Sequence, residues 1–218
     1  PKALAPGGGL LQPFPMSGYP IPKTVARVEY RQSNSRFIAT IGPASSVEEA
    51  KNFIQSIREE MPDATHHVYA MKVGYGASVT EGMSDDGEPA GTSGPPALAV
   101  LRGADLGDVV LVITRYFGGT KLGTGGLVTA YKSAAKLAVE GVETEQKIPR
   151  WRYSVTLPYR LYERTRQFLE ENEGLIEEED FGADVAVRLL FPEGRREELE
   201  EFFRNASAGR VVPERLDD

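Results

Sequence analysis

The sequence predicts an α+β fold of two domains. Its 218 residues lie between the usual sizes of one domain and of two. Charge divides the chain: residues 1–150 carry 15 basic and 15 acidic side chains, whereas residues 151–218 carry 10 basic and 17 acidic ones. Each part also has its own set of strand and helix patterns. We therefore expect a junction near Gln146–Arg150, where Pro149 interrupts the pattern.

The first domain is predicted over residues 22–147, after a flexible leader of residues 1–21. The leader is rich in proline and glycine and has little apolar surface to bury. Alternating or apolar runs predict four strands for the domain that follows. These strands are Thr24–Arg31, Arg36–Ile41, His67–Val73 and Val109–Thr114.

Three helices are predicted between or after those strands. Ser46 has the residue type of an N-cap, with Glu49 three positions later, and that helix should end before Pro62. The other two helices are Pro95–Arg102 and about 127–140. Gly74–Gly94 contains many glycines and is predicted to be a long loop.

The second domain is predicted over residues 151–213 and is acidic. Its elements follow the order β-α-β-β-α-β, which is the order of the ferredoxin-like split βαβ fold. Apolar stripes on both helices predict the faces that cover the sheet. The elements are Tyr153–Leu157, Leu161–Glu171, Leu175–Glu179, Asp184–Phe191, Arg195–Arg204 and Arg210–Val212.

Composition excludes several kinds of site. The chain has no Cys, which excludes disulfides, thiolate metal sites and cysteine nucleophiles. Its two His are adjacent, so a three-His metal centre is excluded as well. No run of about 20 apolar residues is present, and the start lacks the pattern of a secretory signal. We expect a cytoplasmic protein with no membrane partner, no metal and no cofactor.

Residues 83–94 bring three carboxylates close together in sequence. Asp85, Asp86 and Glu88 do not follow the alternate spacing of a calcium loop. A loose Mg²⁺ site stays open as an alternative. We expect instead a structural acidic turn, held by hydrogen bonds from its side chains to the backbone.

A second segment, residues 115–126, joins a buried strand to a helix and contains five glycines. Glycine lets backbone N–H groups approach an anion closely, and a helix start adds positive partial charge. The spacing is that of neither a Walker A loop nor a dinucleotide fingerprint. The alternative is a glycine-rich turn in which Arg115 pairs with Asp85, Asp86 or Glu88. The residues predicted to bind an anion or nucleic acid are Arg115, Gly118, Gly119, Lys121, Gly123, Thr124, Gly125, Gly126 and Lys132; no catalytic residue is predicted.

Two long motifs resemble the IMPACT/YigZ family. The first is Ser84–Pro89 with Gly91 and Thr92. The second runs from Thr114 through Gly119 and continues to Ala130 and Tyr131. The resemblance covers about residues 22–140, and bacterial members are similar in carrying a small ferredoxin-like domain afterwards. Thr129 departs from the pattern, because relatives commonly have a basic residue there.

The resemblance implies a role in translation. The first domain of the family resembles the second domain of ribosomal protein S5 and domain IV of elongation factor G, and the second domain resembles the last domain of that factor. We therefore expect a non-enzymatic protein of translation or its regulation, which binds RNA, a ribosomal partner or a translation factor through Arg115–Gly126. The acidic second domain would contact a protein. Two alternatives stay open: an enzyme acting on a phosphorylated or nucleotide substrate between Ser84–Pro89 and Arg115–Gly126, and a module for protein interaction alone.

Overall fold

The computed structural model describes residues 18–76 and 78–216. The chain divides into two compact units, one of residues Tyr19–Lys147 and one that contains the residues from Ile148 onward. Both combine helices with β-sheet, which confirms the α+β class. No helix within the described ranges is long and apolar enough to cross a membrane.

The first unit is built on a five-stranded antiparallel sheet with the strand order β2-β3-β6-β4-β5. A separate two-stranded ladder pairs β1 with β7. The strands are β1 (Tyr19–Pro22), β2 (Ala26–Gln32), β3 (Ser35–Pro43), β4 (His66–Tyr75), β5 (Ser78–Ser84), β6 (Val109–Tyr116) and β7 (Thr144–Lys147).

Three helices cover the two faces of this sheet: α1 (Val47–Glu60), α2 (Gly94–Gly103) and α3 (Gly123–Gly141). Strand β6 lies at the centre and is buried from both sides. Its Leu111 and Ile113 pack in one core with α2 and α3, and Val110 and Val112 pack in the other core with α1. The central apolar strand therefore holds the end of β6, and the segment that follows it, in a fixed place.

The predicted N-cap of α1 is present, because Ser46 Oγ accepts a hydrogen bond from the Glu49 N–H over 3.1 Å. The predicted loop at Gly74–Gly94 is wrong in its first half, which forms β5. The sequence does not predict β5 because Gly82 is a poor strand former. Glycine is nevertheless suited to position 82, because the Met71 side chain packs over it. A Cβ at position 82 would lie 2.4 Å from the Met71 Cε.

Tyr19–Pro22 form a strand, although the sequence assigns residues up to 21 to the leader. The aromatic ring of Tyr19 is buried, and its hydroxyl donates to Asp108 Oδ2 over 2.8 Å. Residues 1–17 of the predicted leader lie outside the described residues.

The second unit has a four-stranded antiparallel sheet with the strand order β11-β8-β10-β9, as the split βαβ fold requires. The last strand lies at 214–215 rather than at the predicted 210–212. Val211 instead packs into the core, and its N–H donates to Ser207 Oγ over 2.9 Å. The elements are β8 (Arg150–Leu157), α4 (Tyr159–Glu171), β9 (Leu175–Phe181), β10 (Val185–Pro192), α5 (Arg196–Ser207) and β11 (Glu214–Arg215).

Candidate functional site

The glycine-rich segment is shorter than the sequence predicts, because α3 begins at Gly123 rather than near Leu127. Residues 123–126 form the first turn of the helix. The next turns bury Leu127, Ala130 and Tyr131 against the sheet. This packing outweighs the low helix propensity of three glycines.

The start of α3 is open to solvent. None of the described side chains caps it, and its first turn has no acidic residue. The first N–H groups of a helix have no acceptor within the helix, and the helix dipole places positive partial charge there. A Cβ at Gly119, Gly123 or Gly125 would meet nothing within 4 Å. Gly118 differs, because a Cβ there would lie 1.9 Å from the Asn34 carbonyl oxygen, so packing accounts for this glycine.

A cleft of about 370 Å³ lies between the acidic turn and the start of α3. Its apolar lining comes from proline, phenylalanine and leucine side chains, and its polar lining from both predicted segments. The lining residues are Glu88, Pro89, Arg115, Phe117, Lys121, Leu122, Gly123, Thr124 and Leu127.

Arg115 is buried and paired with the acidic turn. Its Nη1 donates to Glu88 Oε1 over 2.6 Å, and its Nη2 donates to Ser35 Oγ over 3.2 Å. This is the alternative that the sequence left open. The charge of Arg115 is already compensated, so an anion would have to compete with Glu88 for it. The candidate anion-binding surface is thereby reduced to lysines and backbone donors.

Tyr131 completes this buried network and was not predicted as part of a site. Its hydroxyl donates to the same oxygen, Glu88 Oε1, over 2.7 Å. Burial, reinforced by this hydrogen bond to Glu88, raises the pKa of Tyr131. A tyrosine on the buried face of a helix needs a partner for its hydroxyl, and this requirement was the available sequence signal.

Asp85 organises the acidic turn. Its Oδ1 accepts from the N–H groups of Ser93 over 3.0 Å and Gly94 over 2.8 Å, and its Oδ2 accepts from the Gly91 N–H over 2.8 Å. Burial alone would raise the pKa of Asp85. The hydrogen bonds from the Ser93 hydroxyl and the three N–H groups outweigh it and hold the pKa below its usual value.

Asp86 accepts hydrogen bonds from α1 and β4 rather than from the acidic turn itself. It accepts from Arg58 Nη2 over 2.5 Å and from the His67 N–H over 2.6 Å. The three carboxylates of the turn are thus engaged with separate parts of the unit. Nowhere in residues 18–76 and 78–216 is a group of three or more His, Asp or Glu placed to hold a metal ion.

The lysines on α3 and just before it differ from the arginines of the same unit in having no ion-pair partner among the described residues. All six arginines of residues 19–147 lie within 4.0 Å of a carboxylate oxygen. Lys121, Lys132 and Lys136 are exposed and have no ion-pair partner in the described part of the chain. Residues 109–139 contain four basic and no acidic side chains. We call these three lysines, together with the first turn of α3, the α3 face.

The fold and this surface define a class: a two-unit α+β protein with an exposed basic helix face and an acidic second unit. Comparison with known proteins identifies the family. Residues 33–139 match the family described as the Impact N-terminal domain, and residues 155–210 match a domain of unknown function, DUF1949.

Relatives match most of the chain. IMPACT family member YigZ of Escherichia coli K12 is 36% identical over 89% of this chain and 96% of its own length. An IMPACT family member of Haemophilus influenzae is 35% identical over 93% of this chain and 98% of its own length. A solved structure described as a hypothetical protein shares 35% identity with a TM-score of 0.68, covering 93% of this chain and 99% of that one. The chain belongs to the IMPACT family, as its sequence motifs predict.

Proposed function

We propose that this protein is non-enzymatic and associated with translation, and that it contacts RNA phosphates through the α3 face. One observation carries the proposal: three unpaired lysines, Lys121, Lys132 and Lys136, lie on or next to a helix whose first turn is open. No acidic side chain interrupts this segment between Asp108 and Glu140.

Unpaired lysines are suited to phosphate contact because no existing ion pair has to break first. Each lysine that neutralises a phosphate releases a counterion, which favours binding at low salt. The first-turn N–H groups add uncharged donors of the kind that bind phosphate at helix starts. The arginines of the unit lack this freedom, because each already has a carboxylate within 4.0 Å.

The overall charge supports a local contact rather than a general one. The net charge of −7 comes from residues 151–218, whereas the charges of residues 1–150 balance, and the α3 face is a basic region within that balanced part. The second unit holds the excess of acidic side chains. We propose that it contacts a protein partner, because acidic side chains do not favour phosphate.

Family resemblance supports the association with translation. The resemblance to the family implies a first domain similar to the second domain of ribosomal protein S5 and domain IV of elongation factor G, and a second domain similar to the last domain of that factor. Proteins of this kind work beside RNA. The resemblance therefore favours RNA over a purely protein partner for the α3 face.

An enzyme of phosphorylated or nucleotide substrates is the second candidate, and the cleft between the two predicted segments favours it. The hydrogen bonds of the three carboxylates in the acidic turn argue against an enzyme. Asp85 holds the turn, Asp86 is paired with Arg58, and Glu88 accepts from Arg115 and Tyr131. A general base needs a free acceptor within reach of the proton that it removes.

Fluorescence anisotropy of a labelled single-stranded RNA tests the proposal. Each phosphate contact strengthens binding by roughly 0.7 logarithmic units for every tenfold decrease in salt concentration. Three contacts therefore contribute about two logarithmic units at ~0.1 M salt relative to ~1 M salt, and replacing Lys121, Lys132 and Lys136 together by alanine should weaken binding about 100-fold at ~0.1 M salt. Lys51→Ala is the matched control, because Lys51 is exposed on α1 and has no ion-pair partner among the described residues. It should leave the affinity almost unchanged. Equal losses in both variants would contradict an RNA contact at the α3 face, and turnover of a nucleotide would favour the enzyme.

A further inference from the structure

We propose that the cleft beside the α3 face binds a single nucleotide, with the base stacked on Phe117 and the phosphate at the start of α3. This rests on the proposed RNA contact and deepens it, because it names the part of an RNA that the cleft would hold. The same chemistry is present in a free mononucleotide, which therefore serves as a probe.

Phe117 is the wall that would receive the base. Its side chain directly follows β6 and is 45% exposed, although it is large and apolar. Its backbone N–H donates to Thr65 Oγ1 over 3.1 Å, and the Arg115 guanidinium lies 5.4 Å from its ring centroid. The hydrogen bond fixes the backbone of Phe117, and the ring lies beside the Arg115 guanidinium yet remains accessible. Exposed aromatic rings of this kind stack with bases of any sequence.

The polarity of the cleft matches the two halves of a nucleotide. Pro89, Leu122 and Leu127 supply apolar walls beside Phe117, whereas Lys121 and the first turn of α3 supply donors. A bare phosphate would leave the apolar walls in water, and a purely apolar ring would leave the donors unused. The volume of about 370 Å³ lies within the usual range of small-molecule sites.

A second, independent feature lies in the same cleft. Arg115 lines it with a side chain that is 6% exposed, and its Nε is buried without a hydrogen-bond partner among the described residues. Buried polar groups are nearly always satisfied, and each exception calls for an explanation, such as a group that the chain itself does not supply. The guanidinium therefore retains a donor that the protein itself does not use.

Titration of the full chain with adenosine 5′-monophosphate, followed by ¹H–¹⁵N NMR, tests this inference. The amide signals of Phe117, Gly123 and Thr124 should shift. Adenosine alone and inorganic phosphate alone should each bind at least about tenfold more weakly, because each uses half of the cleft. Phe117→Ala should weaken binding of the mononucleotide about 5- to 150-fold, the range of one lost base–aromatic stack.

Leu137→Ala is the matched control, since Leu137 is an exposed apolar residue of α3 that does not line the cleft. It should leave binding unchanged, and Phe117→Trp should retain it. An RNA oligonucleotide should displace the mononucleotide from the same amides if RNA is the source of the bound nucleotide. Failure of RNA to displace it would assign the cleft to a free nucleotide instead.

Two results would overturn the inference and leave the RNA contact standing. One is RNA binding that depends on the three lysines while the mononucleotide shifts none of these amides. The other is inorganic phosphate binding as tightly as the mononucleotide, which would leave Phe117 without a role. Loss of RNA binding altogether would instead contradict the proposed function.

Discussion

Arg115 Nη1 donates a hydrogen bond to Glu88 Oε1 over 2.6 Å, and both side chains are more than nine-tenths buried. The pair joins the end of β6 to the acidic turn. Removing one partner of a buried ion pair leaves the other charge without compensation. Arg115 therefore supports the fold around the cleft, and the proposed phosphate contacts belong to the lysines and first-turn N–H groups of the α3 face.

Arg115→Met should destabilise the first unit by about 3–5 kcal/mol, because it leaves Glu88 buried without its cation. Urea unfolding measures this change. Adding Glu88→Gln to Arg115→Met should recover part of the loss, since it removes the uncompensated charge. A single variant as stable as the wild type, with RNA binding abolished, would show instead that Arg115 contacts the RNA.

Asp85→Asn should destabilise the protein at pH 7 by about 1 kcal/mol, because the hydrogen bonds of the turn favour the charged carboxylate. The folded-state pKa of Asp85 lies below its unfolded value. The stabilisation is therefore fully present above the unfolded pKa of about 3.9 and is lost as the pH falls through the folded pKa.

Stability of the wild type and of Asp85→Asn, measured by urea unfolding from pH 7 down to acid, checks this sign. The difference between the two proteins should shrink towards low pH. A difference that stays constant over the whole range would show that the ionisation of Asp85 does not stabilise the turn.

Tyr19→Phe should destabilise the first unit by about 1.5–3 kcal/mol, because it removes a buried hydrogen bond to the Asp108 carboxylate. Tyr75→Phe is the control. Tyr75 stacks on Tyr19 but donates to Asp105 in an exposed position, so its loss should cost less. Thermal unfolding of both variants compares them, and equal costs would show that the buried hydrogen bond of Tyr19 contributes no more than the exposed one of Tyr75.

Gly125→Ala separates binding from stability. A Cβ there meets nothing within 4 Å, and alanine favours a helix by up to about 1 kcal/mol over glycine, so stability should hold or rise. The added methyl would obstruct a phosphate at the first turn, and RNA affinity should fall several-fold. Gly194→Ala, in the second unit, is the control: a Cβ there also meets nothing within 4 Å, and RNA affinity should stay unchanged. Unchanged affinity in Gly125→Ala would exclude the first turn from the contact.

Side-chain periodicity predicted the second unit well. Leu161, Leu169, Leu199 and Phe203 alternate with polar residues at helical spacing, and all four are buried in its core. The last strand was misplaced because Val211 is apolar for a different reason. It fills the core before the chain reaches β8.

Two elements of the first unit, β5 and the start of α3, were not predicted correctly because their sequences contain glycine. Gly82 concealed β5, since only the packing of Met71 makes a glycine suitable there. The glycines of the first turn concealed the start of α3, which is held by buried residues further along the helix. Local propensity could not show either effect, because both arise from contacts between elements distant in sequence.

The pairing within the candidate site could not be predicted from the sequence. The sequence offered Asp85, Asp86 and Glu88 as partners for Arg115, and only the path of the acidic turn selects Glu88. It offered both Arg115 and Lys121 for phosphate. Burial makes Arg115 a poor candidate for phosphate contact, because its guanidinium is enclosed between β3 and the acidic turn and already bonded to Glu88 and Ser35.

The salt dependence of RNA binding tests the central claim most directly. For single-stranded RNA, log affinity decreases with log salt concentration, and the magnitude of this slope decreases by roughly 0.7 for each phosphate contact that is lost. Replacing Lys121, Lys132 and Lys136 together by alanine should reduce the slope of the full chain by about 2, whereas Lys51→Ala should leave it unchanged. A slope that is the same in the wild type and the triple variant would contradict phosphate contact through the α3 face.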